Sequence, residues 1–195
     1  MVAFNSLKRK VQRLEDLHCL KAEAQLRSEL LRSLQCEKAK QELAETVCTD
    51  DASLLDRLLK HGFTAENLPA ISVLPIALVA WGSGYVTDEE RIAAMNAIYD
   101  SELSGNQAAI QKFQSWLDSR PNPELLVLWA EYLKCRIKNS GRGMQPDHFE
   151  RMIRLASQVA LASGGILGFG AICAGEQTVL DQIRALSQCT SDLSA

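Results

Sequence analysis

The sequence predicts an all-α protein: a helical bundle with a long N-terminal helical arm. Apolar residues recur every three or four positions through most of the chain, which is the period of an amphipathic helix. Capping residues and helix-ending glycines divide this pattern into segments of helical length. No segment alternates strictly enough between apolar and polar residues to be predicted as a strand.

The first part of the chain is predicted to be one helix over residues 4–47. No glycine or proline occurs before Gly62, and the intervening residues are mostly strong helix formers. The heptad pattern breaks near His18 and again near Gln35, so the pattern favours a helix more strongly than a sustained coiled coil. We therefore divide the chain into an arm of residues 1–48 and a globular domain of residues 49–195.

The start of this arm is basic on one side and apolar on the other. Such a helix can rest on an anionic membrane surface, but a solvated helix face is the favoured interpretation. Its basic residues are Lys8, Arg9, Lys10 and Arg13.

The globular domain opens with two predicted helices. Asp50 or Asp51 suits the cap of a leucine-rich helix that Gly62 ends. The next segment, residues 69–81, is apolar on nearly every side, which is typical of a helix at the centre of a bundle. Pro75 is expected to kink this helix or to set its true start.

The remaining helices are predicted from their caps and apolar faces. Thr87 and Glu90 form a capping box, in which each side chain bonds the other residue's backbone N–H. Asn122 and Pro123 are a cap and a first-turn proline. The helix that Thr87 caps carries Ile92, Met95 and Ile98. The later predicted helices cover residues 110–117, residues 125–133, residues 146–159 and residues 173–186. Gly141 and Gly143 end the second of these, and Gly164 ends the third.

Composition excludes several classes of function. A net charge of −3 argues against nucleic acid as a partner, since nucleic-acid binding usually needs a basic surface. The six cysteines are scattered without a C-x-x-C pair, which indicates free thiols in a reducing compartment. No leader peptide and no apolar run long enough to span a bilayer is recognised, so a cytoplasmic location is predicted.

Two segments of the globular domain share a sequence pattern. Residues 84–90 and residues 170–176 both contain a glycine, a β-branched apolar residue, a small capping residue and a glutamate three places later. The capping residues are Thr87 and Cys173, and the glutamates are Glu90 and Glu176. These segments predict an internal repeat of a helix–turn–capped-helix unit.

The first segment, with its lead-in over residues 78–84, resembles the tellurite-resistance TerB-like family. The resemblance covers about residues 50–188. It implies a compact all-helical fold, a link to stress responses and clustered acidic residues that bind a metal ion. This chain departs from the family pattern, because Ser83 stands where the family has Asp and Cys173 where it has Ser or Thr. These departures weaken the metal inference and leave the fold inference in place.

The acidic group at the helix starts is the best candidate for a metal site, because hard oxygen ligands bind divalent cations. The favoured interpretation is instead that these residues are helix caps and first-turn charges. The group consists of Asp88, Glu89, Glu90 and Glu176.

Other patterns are assigned to turns or to unrelated surface positions. The glycine-rich residues 165–170 have the wrong spacing and context for a phosphate-binding loop. Ser83 lacks the frame of a nucleophile elbow. The three histidines are far apart in sequence: His18, His61 and His148.

We therefore expect no enzyme, no cofactor and no catalytic residue. The favoured hypothesis is a non-catalytic helical interaction module that binds a protein partner or forms a homo-oligomer. The alternatives are a divalent-metal-binding or sensing module that uses the acidic helix starts, and an enzyme of unrecognised type.

Overall fold

The computed structural model describes residues 2–101, 103–139, 146–162 and 172–191. Over these residues the chain forms eight α-helices, one short 3-10 segment and no strand, which confirms the all-α prediction. The helices are α1 (Val2–Val47), α2 (Ala52–Lys60), α3 (Leu74–Ala80), α4 (Asp88–Tyr99), α5 (Gln107–Asp118), α6 (Glu124–Asn139), α7 (Pro146–Ala162) and α8 (Ala174–Ser191); the 3-10 segment is Leu68–Val73.

The chain consists of two compact units, Met1–Gln41 and Glu42–Ala195. The second unit begins within α1, before the boundary at residue 49 that the sequence suggested. Leu43 and Val47 explain the difference, because their side chains are 0% and 2% exposed and belong to the hydrophobic core. Residues four positions apart lie on one face of a helix, so the last turns of α1 pack as part of the bundle.

Helix α3 lies at the centre of the second unit, as its uninterrupted apolar sequence predicts. It packs against α4, α5, α6, α7 and α8. Pro75 lies in its first turn, where the missing N–H breaks no intrahelical bond. The proline therefore sets the start of α3, and the preceding apolar residues form the 3-10 segment instead.

Several predicted caps are confirmed by hydrogen bonds. The Asp51 side chain accepts from the backbone N–H groups of Ser53 and Leu54, at 3.0 and 3.2 Å. Asn122 Oδ1 accepts from the N–H of Glu124 at 2.9 Å. Gly62 follows α2 with φ of 73°, the left-handed conformation that a glycine adopts without strain.

One predicted core position is placed differently. Ile92 is 61% exposed, whereas Ala94 and Ile98 are the buried apolar residues of α4. The helix is apolar on more than one side, so its sequence period does not decide which side faces the core. Within the described ranges, no helix has both the length and the apolar character needed to cross a membrane.

The assignment of Leu43 and Val47 to the core predicts different behaviour for two truncated chains. A chain of residues 42–195 should unfold cooperatively in chemical denaturation. A chain of residues 49–195 should be less stable by about 3–6 kcal/mol, the free energy of burying one leucine and one valine side chain.

A point variant tests the same contact in the full chain. Leu43→Ala should cost about 2–5 kcal/mol, as expected for a buried leucine. Leu161→Ala, at an exposed position of α7, is the matched control and should cost much less. Equal losses in the two variants would contradict the assignment.

Candidate functional site

The start of α4 is a complete capping box, as predicted. Thr87 Oγ1 accepts from the N–H of Glu90 at 3.1 Å, and Glu90 Oε2 accepts from the N–H of Thr87 at 2.8 Å. Two backbone donors that would lack partners at a helix start are therefore satisfied.

The start of α8 has the same hydrogen-bond pattern with a thiol in place of the hydroxyl. Glu176 Oε2 accepts from the N–H of Cys173 at 2.8 Å. The N–H of Glu176 points at Cys173 Sγ at 3.4 Å. Sulfur is a weak acceptor, so the second cap has one strong bond and one weak bond.

The backbone of the turn after α3 touches the backbone at the start of α8. A Cβ atom built on Gly175 would lie 2.0 Å from the carbonyl oxygen of Gly82. A Cβ atom on Gly82 would lie 2.6 Å from both the N and the Cα of Glu176. Both distances are far below van der Waals contact, so the approach of the turn after α3 to the first turn of α8 requires glycine at both positions.

This approach buries two glutamates side by side. Glu90 is 0% exposed and Glu176 is 1% exposed, and their carboxyl groups face each other. Glu90 Oε1 is buried and receives no hydrogen bond from an N–H or hydroxyl donor of the described residues. Buried carboxylates are normally hydrogen-bonded or paired with a cation, so this oxygen requires an explanation.

The surroundings of Glu176 change the pKa of its carboxyl. Burial raises the pKa of the Glu176 carboxyl above its usual value, because the charged form loses hydration. The backbone N–H and the side chain of Cys173, which hydrogen-bond the Glu176 carboxyl, oppose this change, and the facing carboxyl of Glu90 adds to it. The net effect favours the protonated form of Glu176.

Side chains on either side of the segment between α3 and α4, which contains Gly82, bond the end of α5. Trp81 Nε1 donates to the carbonyl oxygen of Trp116 at 2.7 Å. Arg91 donates to the carbonyl oxygen of Leu117 at 2.9 Å and to Asp118 Oδ1 at 2.7 Å. The acceptors belong to the C-terminal turn of α5, where carbonyl groups lack intrahelical partners and attract donors.

The four acidic residues of the predicted group are divided between two environments. Glu90 and Glu176 meet in the interior, whereas Asp88 and Glu89 are exposed in the first turn of α4. Ser83 is also exposed and donates to the carbonyl oxygen of Tyr85 at 2.8 Å, which is a turn-forming contact. Within the part of the chain that the structure describes, no three His, Cys, Asp or Glu residues gather as a metal site.

The other predicted candidates do not converge on this site. His18 is exposed on α1, and His61 Nε2 lies 3.6 Å from Glu124 Oε2. The described residues do not include the side chains of His148 and of the basic residues near the N-terminus. Gly141, Gly143 and residues 163–171, which contain the glycine-rich sequence 165–170, also lie outside them.

A pocket lies elsewhere, between the 3-10 segment and α7. Its volume is about 90 Å³, and Val73, Leu103 and Met152 are among its lining residues. Sites for drug-sized ligands usually measure about 300–1,000 Å³, so this pocket does not suit a cofactor.

Comparison with family models, curated proteins and solved structures gives no match to this chain.

The sequence identified the two glutamates as caps and as candidate ligands, but it did not identify their glycine partners. Gly175 carried a usable signal, because glycine in the first turns of a helix costs about 1 kcal/mol relative to alanine. A glycine at such a position indicates that another backbone approaches closely. Gly82 follows a helix, where glycine is common, and carries no comparable signal.

The glycine contact predicts a reversal of the usual alanine effect. Gly→Ala within a helix normally stabilises a protein by about 1 kcal/mol. Gly175→Ala should instead destabilise by about 1–3 kcal/mol or more, because the new methyl group would overlap the backbone of Gly82. Gly105→Ala, where a Cβ meets nothing within 4 Å, is the control and should be neutral or stabilising. Urea denaturation distinguishes the two, and a stabilised Gly175→Ala protein would contradict the contact.

The two capping boxes predict opposite effects of changing the cap residue. Cys173→Ser should stabilise the protein by about 0.3–1 kcal/mol, because a hydroxyl accepts the Glu176 N–H better than a thiol does. Thr87→Ala should cost about 0.5–2 kcal/mol, because the N–H of Glu90 loses its acceptor. If Cys173→Ser lowers the denaturation midpoint, the half-buried thiol contributes mainly as a small apolar group.

Proposed function

We propose that this chain is a non-catalytic helical interaction module that associates through the leucine-rich face of α1. The supporting observation is the exposure of this helix: every residue from 18 to 38 is exposed. Five leucines in that stretch are between 53% and 64% exposed; they are Leu20, Leu26, Leu30, Leu31 and Leu34.

These leucines form one surface. At 100° per residue, they fall within an arc of roughly 140° on the helix. An apolar stripe of this width is typical of a helix that buries one face against a neighbour. Exposed leucines grouped on one face mark an interaction site, and Glu23 and Arg27 lie within the same arc.

A second copy of α1 is the partner that we propose. Charged residues of both signs lie within the arc of the leucines, namely Arg27, Glu23 and Glu37, whereas Lys21, Glu29 and Arg32 lie on the opposite side of the helix. A helix with mixed charges can form ion pairs with a copy of itself, whereas a helix of one sign would repel its copy. The heptad irregularities near His18 and Gln35 suit a short pairing over residues 20–34 better than a long zipper.

The metal-sensing alternative has one supporting observation, the contact between Glu90 and Glu176. Two carboxylates alone give a cation few ligands, since calcium takes about 6–8 oxygens. The TerB-like resemblance, its stress association and a cytoplasmic location are further proposals, and they are compatible with the all-α fold of the described residues.

Charge placed on the leucine face should abolish self-association. We expect the wild-type protein to have a mass above the 21.5 kDa of one chain in light scattering at high protein concentration. Leu30→Glu with Leu34→Glu should return the mass to that of a single chain, because four like charges would meet in the dimer interface.

The matched control adds the same charge to the opposite face. Gln25→Glu with Cys36→Glu changes two exposed residues that lie roughly 160° from the leucine stripe, and this variant should keep the wild-type mass. A wild-type protein that stays monomeric at all concentrations, or a control that dissociates equally, would contradict self-association through this face.

A further inference from the structure

Where the two capping boxes meet, one buried carboxylate oxygen has no hydrogen-bond donor. Each glutamate uses Oε2 to accept from its own cap residue, Thr87 in one case and Cys173 in the other. The remaining oxygen of Glu90 is buried without a donor unless the facing Glu176 carboxyl carries a hydrogen. Two adjacent buried carboxylates that were both ionised would repel each other at short range in a medium of low dielectric constant.

We propose that Glu176 carries a proton and donates it in a hydrogen bond to Oε1 of Glu90, joining the first turn of α8 to the first turn of α4. Loss of this proton to solvent at higher pH breaks that bond and leaves two buried negative charges in contact. The bundle therefore contains a pH-dependent connection between two of its helices.

No basic side chain neutralises the pair among the described residues. Helix α3, which packs against both α4 and α8, contains no ionisable residue. Arg91 is directed to Asp118 and the end of α5. Cys173 is the other titratable group in contact with Glu176. The remaining described charged groups of the surrounding helices bond elsewhere or lie at more exposed positions: Lys112 on α5, Glu124, Glu131, Lys134, Arg136 and Lys138 on α6, Arg151 and Arg154 on α7, and Asp181 and Arg184 on α8.

The direction of the pH effect follows from the raised pKa of Glu176. The folded protein binds this proton more tightly than the unfolded chain does. The stabilisation is therefore fully present below the unfolded-state pKa of glutamate and is lost as the pH rises through the higher folded-state value.

The decisive variant replaces the protonated carboxyl with an amide of the same shape. In Glu176→Gln, the amide oxygen can accept from the N–H of Cys173 while the NH₂ group donates permanently to Glu90 Oε1. Urea midpoints are measured at several values between about pH 5 and pH 8. Relative to wild type, the midpoint of Glu176→Gln should rise progressively with pH across this window.

Three further variants test whether the pH dependence of stability arises from Glu90 and Glu176. Glu89→Gln changes an exposed carboxyl one residue from Glu90 and should follow the wild-type pH profile. Cys173→Ser removes the neighbouring thiol and should still lose stability with rising pH, because both carboxyls remain, while its changed hydrogen bond to Glu176 shifts the pH at which the loss occurs. Glu90→Gln should reduce the pH effect, because its amide can donate to an ionised Glu176 and the facing charge is gone, whereas the burial of Glu176 remains. It serves as the test if Glu176→Gln fails to fold.

An infrared measurement reports the proton directly. The C=O stretch of a protonated carboxyl should persist in wild type and Glu89→Gln above the pH at which ordinary glutamates ionise, and should be absent in Glu176→Gln. The absence of this band in wild type, or parallel pH profiles of wild type and both glutamine variants, would overturn the proposal. A midpoint that Ca²⁺ or Mg²⁺ raises in wild type but not in Glu176→Gln at about pH 8 would also overturn it, in favour of a bound cation.

Discussion

The close approach of the backbone at Gly82 to the backbone at Gly175 and Glu176 is the constraint on which the candidate site depends. Glycine at both positions lets the turn after α3 touch the first turn of α8, with no side chain between them. The two capping glutamates, which would be half-exposed at isolated helix starts, then become buried together. Two glutamates that cap the N–H groups of their own helices thereby also form a buried polar contact between those helices.

The central position of α3 makes this contact possible. Its residues are small or aliphatic and nearly all buried, so five other helices can pack around it. Trp81, directly before Gly82, bonds a carbonyl group at the end of α5, and Arg91 in α4 bonds the next one. The position of Gly82 is therefore determined by the packing of α5 as well as by its own turn.

Helix α1 illustrates two environments within one continuous helix. Its last turns contribute Leu43 and Val47 to the core of the second unit, while the leucines between residues 20 and 34 are exposed. The same residue type is thus a core residue at one end and the proposed interaction surface further along. Burial of an apolar stripe stabilises most helices of this length, so the exposure of this stripe is the observation on which the proposed self-association rests.

The sequence by itself determined the local structure of this protein. The caps at Asp51, Asn122 and Thr87 depend on side chains that bond backbone groups two or three residues away, so short-range chemistry is sufficient to identify them. The all-α class and the central apolar helix followed from hydrophobic period and composition in the same way. For the candidate site, the sequence supplied the identities of Glu90 and Glu176 and their role as caps.

Only the tertiary structure decided what those residues do together. Whether Glu90 and Glu176 meet, while Asp88 and Glu89 point to solvent, depends on contacts between α4, α8 and the turn after α3. Likewise, Ile92 and Leu43 have similar apolar side chains, and only packing exposes the first and buries the second. These outcomes are set by long-range approach of backbones, which neither helical period nor capping chemistry encodes, and the burial of both carboxyls follows from that approach.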